Sequence, residues 1–146
     1  GYFLPRLLTR YPPMVTCLVL GTIWSVWHYP IYYNAMFGTV AGAIMFTIAV
    51  ICFSVLLMVL WAFTNGSIFW AMVLHWSINV TPDVMEAVLP DVRFPEGGIP
   101  GTNLLFLVLT TVAVASIVGP RRLQARLDTV VAGLREREAV DADRRA

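Results

Sequence analysis

From Tyr11 to Pro82 the chain runs 72 residues without an Asp, Glu, Lys or Arg. Trp, Phe, Leu and Val recur throughout that stretch. A soluble domain could not fold it, because too little polar surface would be left to face water. Soluble domains average about 25% charged residues, whereas this chain has 13%, with 58% hydrophobic residues and a mean hydropathy of +0.74. Lipid is the solvent that resolves the conflict, and in lipid the backbone must satisfy itself within helices or a closed barrel. The expectation is an all-α, polytopic transmembrane helix bundle partnered by the lipid bilayer. It includes no nucleic-acid partner and leaves the oligomeric state open.

Punctuation divides the chain into four hydrophobic segments. The first runs from about Met14 to Tyr29, entered through Pro12-Pro13 and closed by Pro30. The second covers about Thr39 to Phe63 and ends at the Asn-Gly turn signal of Thr64-Asn65-Gly66. The third spans about Ser67 to Val80, stopped by Thr81-Pro82, and the fourth about Asn103 to Val118, ending at Gly119-Pro120. A crossing takes roughly 20 helical residues, so the first and third are short and need neighbours to cover their ends. Gly1 in place of Met, with no charged region before the first apolar run, reads as an internal fragment rather than a signal peptide. Cys17 and Cys52 lie inside apolar runs and read as small packing residues.

Arginines set the expected orientation. Arg6 and Arg10 precede the first segment, and Arg121, Arg122 and Arg126 follow the fourth. Between the third and fourth, Thr81–Thr102 carries Asp83, Glu86, Asp91 and Glu96 against Arg93, a net −3. Four crossings put both basic flanks on one side, the cytoplasm. The tail, Arg121–Ala146, repeats Leu123, Leu127, Val130, Val131 and Leu134 at helical spacing. It reads as a solvated cytoplasmic amphipathic helix that grazes the headgroups and frays after Glu138. The expected division is thus a membrane domain over 1–120 and a tail over 121–146. All ten basic residues are Arg, a composition that suits a GC-rich bacterial genome and a bacterial cell membrane.

Polar side chains inside membrane helices are costly and therefore candidates for function. The chain has only two histidines, His28 and His75, and both lie in apolar segments. Each has a partner four residues away on the same helical face: Trp24 with His28, and Asn79 with His75. Imidazoles from two helices can converge in a bundle core, as metal and cofactor sites in bundles do. The plainer reading of a single intramembrane His is an interhelical hydrogen bond worth about 1 kcal/mol or less; for Trp24 it is packing. Ser25, Ser54 and Ser77 are expected to bond back to their own helix carbonyls.

Three stretches in order resemble the CPBP family of intramembrane metalloproteases, which contains CAAX prenyl proteases and bacterial Abi relatives. Gly1-Tyr2-Phe3-Leu4-Pro5-Arg6-Leu7 is similar to the sequence just after that family's Glu-Glu-x-x-x-Arg motif. Trp24-Ser25-Val26-Trp27-His28 resembles its Phe-x-x-x-His, with Trp for Phe and Tyr29-Pro30 following. His75-Trp76-Ser77-Ile78-Asn79 resembles its His-x-x-x-Asn. The resemblance spans about Gly1 to Pro120 and implies an intramembrane endopeptidase acting on a peptide or protein. It implies that His28 and His75 position the attacking water or a divalent metal, zinc being the candidate, with Asn79 as oxyanion donor and Trp24 in support. The paired glutamates, whose first member activates the water in the family, are not among these residues. On that count the fragment alone is expected to be inactive, and two histidines leave any zinc sphere short of a third ligand. Two other classes stay open: a non-catalytic scaffold or immunity protein of the same fold, and a membrane redox protein with haem between the two histidines.

Overall fold

A computed structural model describes residues 2–32, 39–88 and 101–144. Within them the chain forms six helices and no strand: α1 (Phe3–Leu8), α2 (Pro13–Tyr32), α3 (Val40–Phe63), α4 (Ile68–Val88), α5 (Gly101–Val118) and α6 (Pro120–Asp143). By length and composition α3 meets the requirement for crossing a membrane. The α5–α6 pair meets it only jointly, across a 79° bend, and the apolar part of α4, Ile68–Thr81, is shorter. Large apolar side chains nonetheless cover the outside of α2, α3, α4 and α5, among them Trp27, Trp70, Trp76, Phe106 and Ile117, each more than half exposed. Soluble monomers rarely expose such continuous apolar surface, so the outer shell of this bundle is built for lipid.

α3 is the hub, contacting α2, α4, α5 and α6. Its start is fixed by Thr39, whose Oγ1 accepts from the Gly42 amide at 3.1 Å as an N-cap. Its end is a left-handed termination. Asn65 takes φ 53° and Gly66 φ 78°, and the Gly66 amide reaches back to the Trp61 carbonyl at 2.9 Å, the six-to-one bond of a Schellman motif. The Asn-Gly signal therefore lies where the left-handed conformation is needed.

α2 packs antiparallel on α3 through a stripe of small and hydroxyl side chains four residues apart: Cys17, Gly21, Ser25 and Tyr29. The Cys17 thiol meets the Ser54 carbonyl at 3.6 Å and the Met58 sulfur at 3.4 Å. A Cβ on Gly21 would stand 2.7 Å from the Ile51 Cα, so the two backbones nearly touch there. Further along, the Ser25 hydroxyl donates to Thr47 Oγ1 at 3.2 Å, and Tyr29 and Thr47 share a 2.6 Å bond. Where lipid surrounds a bundle, small residues that admit close approach and hydroxyls that bond across the gap are what hold helices together. The three serines bond back as expected: Ser25 to Thr22, Ser54 to Val50 and Ser77 to Val73 carbonyls.

Two proline stops do not hold. α2 continues past Pro30 to Tyr32, and α4 runs through Pro82 to Val88, carrying Asp83 and Glu86 into helix. A proline removes one amide from the ladder, freeing the carbonyl four residues earlier. Membrane helices tolerate that loss when hydroxyls and neighbours compensate. In α4 the carbonyl so freed is that of Ile78, and the Thr81 hydroxyl bonds its neighbour, the Ser77 carbonyl. The expected acidic loop is thus helical as far as Val88, and residues 89–100 of it lie outside the described residues.

At Gly119, φ 72°, followed by Pro120 in the first turn of α6, the chain turns as expected. The apolar face of α6 is a further correction. Leu123, Leu127 and Val130 do share one face, but it is buried in a single cluster with Cys17, Val55, Met58, Val59, Trp61 and Ala62. Protein rather than headgroups covers that face, because α1, α3 and α6 meet there. This end of the bundle gathers Arg10, the turn at Asn65-Gly66, and the arginine-rich α6.

Candidate functional site

The opposite end of α2 holds the histidines' meeting point. Trp24, half-buried on α2, touches both imidazoles. The His28 ring lies 6.3 Å away centroid to centroid, tilted by 52°. The His75 ring, coming from α4, lies 5.1 Å away in an edge-on arrangement at 74°. The two imidazoles are therefore at most about 11 Å apart. Edge-to-face contacts of this kind are worth about 0.5–1.5 kcal/mol beyond the area they bury, so the indole orients both rings at once.

His28 is the better fixed of the two. Its Nδ1 stands 2.7 Å from the Trp24 carbonyl. A carbonyl can only accept, so Nδ1 is the donor in this contact, the usual way a backbone acceptor orients a histidine ring. Phe46 of α3 also packs against the ring, 5.5 Å away centroid to centroid. His75 and Asn79 lie one turn apart on α4, and both are exposed. Because α4 continues to Val88, Asn79 sits in mid-helix rather than in a final turn. The chain thus brings His28, Trp24 and His75 together, and places Asn79 one turn beyond His75 on a surface open to an incoming chain.

Among the described residues, the groups present fall short of a zinc sphere. Zinc sites use three or four protein ligands, and among the described residues no group of three His, Cys, Asp or Glu side chains converges. His28 and His75 would be two ligands of such an ion, which is short of the set it needs. Along α4, Asp83 lies about one turn past Asn79 and Glu86 about two, roughly 6 and 10 Å along the axis.

Reading the sequence missed two supports. Phe46 packs against the His28 ring, and nothing in its surroundings distinguishes it from other apolar residues of α3. The hydroxyl network of Ser25, Tyr29 and Thr47 secures α2 on α3 one turn from Trp24 and His28. A signal for it was available: Cys17, Gly21, Ser25 and Tyr29 recur at four-residue intervals, the period of a close-packed helix face.

Residues 1–81, more than half of the chain, match the family model described as type II CAAX prenyl endopeptidase Rce1-like. Trp24, His28, His75 and Asn79 all fall inside the matched region. No curated protein matches the chain, and no solved structure does.

Proposed function

The chain belongs to the type II CAAX prenyl endopeptidase Rce1-like family, a family of membrane-embedded proteases, and from that premise we propose that His28, His75 and Asn79 are its working groups in intramembrane peptide hydrolysis. The observation that carries the reading is Trp24, whose single indole contacts imidazoles from two separate helices. In this reading the two rings hold a water between them, with His28 Nε2 accepting a hydrogen bond from it. The water oxygen adds to the scissile carbonyl, and the Asn79 amide donates to the oxyanion that forms. A donor fixed in a water-poor site is worth more there than in bulk water, because it needs no reorganisation as charge develops. The family's motif assigns activation of that water, the removal of its proton, to a glutamate, and no described Asp or Glu joins the histidine pair. That step is therefore given to no residue of this chain, and no step runs through a metal.

The substrate is a peptide or protein approaching from the lipid or its interface, which suits the exposure of His75 and Asn79. The same reading has four crossings, with both arginine flanks in the cytoplasm of a bacterial cell. Arg10 and α6 line one cavity at the same end of the bundle, the arrangement that four crossings require.

The test uses full-length protein in membranes and a prenylated CAAX peptide, with cleavage followed by mass spectrometry. His28→Ala and His75→Ala should each abolish cleavage, and Asn79→Ala should lower kcat by about 10²–10³. All three variants should keep the wild-type elution profile in detergent. Undiminished cleavage by both histidine variants would end the proposal.

A further inference from the structure

At the end of the bundle away from the histidines, the α1–α2 connection and α6 enclose a cavity of about 590 Å³. Roughly 22 Å of helix separates Pro13, at this cavity, from His28, at 1.5 Å per residue. The cavity's composition is two-sided. Leu8 and Val131, both part-buried, give it an apolar floor, and Arg10 and Arg135 stand at its rim. Both arginines are exposed. The lining contains one acid, Asp128, which accepts from the Gln124 side-chain amide at 2.8 Å. Among the described residues neither rim arginine is paired with an acid.

We propose that this cavity binds the phosphodiester headgroup of an anionic phospholipid, with Arg10 and Arg135 on the phosphate and the Leu8–Val131 floor under the first part of the acyl chains. Three features select this occupant. Guanidinium groups meet phosphate oxygens with paired N–H donors, and two of them open here on the same hollow. The apolar floor has no use for inorganic phosphate but fits the glycerol and chain roots of a lipid. The cavity also lies along the arginine-rich helix α6, which leaves α5 at a 79° bend, and that bend puts its cationic surface near the headgroup layer if α5 is upright in the bilayer. Basic residues at an anionic membrane surface each strengthen attachment about fivefold.

Full-length protein purified in a zwitterionic detergent is titrated with phosphatidylglycerol or phosphatidylcholine, and bound lipid is counted by native mass spectrometry. Phosphatidylglycerol should be retained in preference. Arg10→Gln and Arg135→Gln should each weaken its retention about fivefold, and the double variant about thirtyfold. Asp128→Asn can keep the Gln124 bond while deleting the lining's negative charge, so it should tighten phosphatidylglycerol binding by up to about fivefold; it keeps the test decisive should the arginine variants fail to fold. Inorganic phosphate should not displace the lipid. Equal retention of the two lipids, wild-type retention by the double variant, no tightening in Asp128→Asn, or displacement by inorganic phosphate would each overturn the assignment.

Discussion

Gly21 gives the sharpest test of how the bundle is held together. A methyl at this position would sit 2.7 Å from the Ile51 Cα, 2.8 Å from its Cγ1 and 3.1 Å from its amide nitrogen. Comfortable carbon–carbon contact is about 3.5–4.0 Å, so Gly21→Ala must move α2 and α3 apart by about 1 Å. The obstacle is backbone, not the mobile end of a side chain, so rotamer change cannot relieve it. Overpacking of this kind costs about 1–3 kcal/mol. Replacing glycine by alanine within a helix returns about 1 kcal/mol, leaving a net loss of about 0–2 kcal/mol; Gly21→Val adds two methyls on the same side and should exceed it. Separation should also stretch the 3.2 Å bond from Ser25 to Thr47. Gly133 on α6 is the control, because a Cβ there meets nothing within 4 Å. Gly133→Ala should stabilise by about 0.5–1 kcal/mol through helix propensity alone. Unfolding by SDS titration from mixed micelles, followed by tryptophan fluorescence, measures all three. If Gly21→Ala and Gly21→Val gain stability as Gly133→Ala does, the close α2–α3 approach is wrong.

Other substitutions probe separate joints. Gly66→Ala places a side chain at φ 78° with a Val130 methyl 2.9 Å away, so it should destabilise by about 1–3 kcal/mol in the same titration; a neutral result would remove the left-handed turn. Thr47→Val deletes the hydroxyl that joins Ser25 and Tyr29, and interhelical bonds in membranes average about 0.6 kcal/mol, so a loss near that size is expected. Trp24→Ala should lower kcat in the peptide assay while Trp24→Phe, which keeps an aromatic face for both imidazoles, restores most of it. Equal impairment in the two variants would mean the indole does not act by orienting the rings.

The parts of this fold legible in the sequence are those governed by local chemistry. Thr39 caps α3 because its hydroxyl can reach an amide three residues on, and Asn65-Gly66 ends it because both residues accept a left-handed backbone. Gly119-Pro120 breaks the chain for equally local reasons. Family membership was legible too, since the three motif-like stretches lie within or begin the region the family model matches. Pro30 and Pro82 misled because the effect of a proline depends on what surrounds it: each costs one ladder bond, and a helix embedded among neighbours can absorb that cost. The tail misled for a related reason. An apolar stripe on Leu123, Leu127 and Val130 says that a face must be covered, but only the docking of α1 and α3 says by what.

The same distinction bears on the candidate site. Trp24 and His28 ride on α2, which is bound to α3 by close backbone approach and a run of hydroxyl bonds. His75 and Asn79 ride on α4, which rests on α3 with a smaller interface and carries both residues on its exposed side. Half of the site is therefore rigid and half depends on how one helix seats. The Trp24–His75 contact is the described side-chain link between those halves at this level, and an edge-on aromatic pair worth about 1 kcal/mol is weak enough to yield to an arriving substrate. A peptide that inserts between α2 and α4 can exchange that contact for its own at little cost, and it would then lie against His28 on one wall and His75 and Asn79 on the other. Loose seating of α4 is, on the proposed reading, what would let a peptide enter between the two halves of the candidate site.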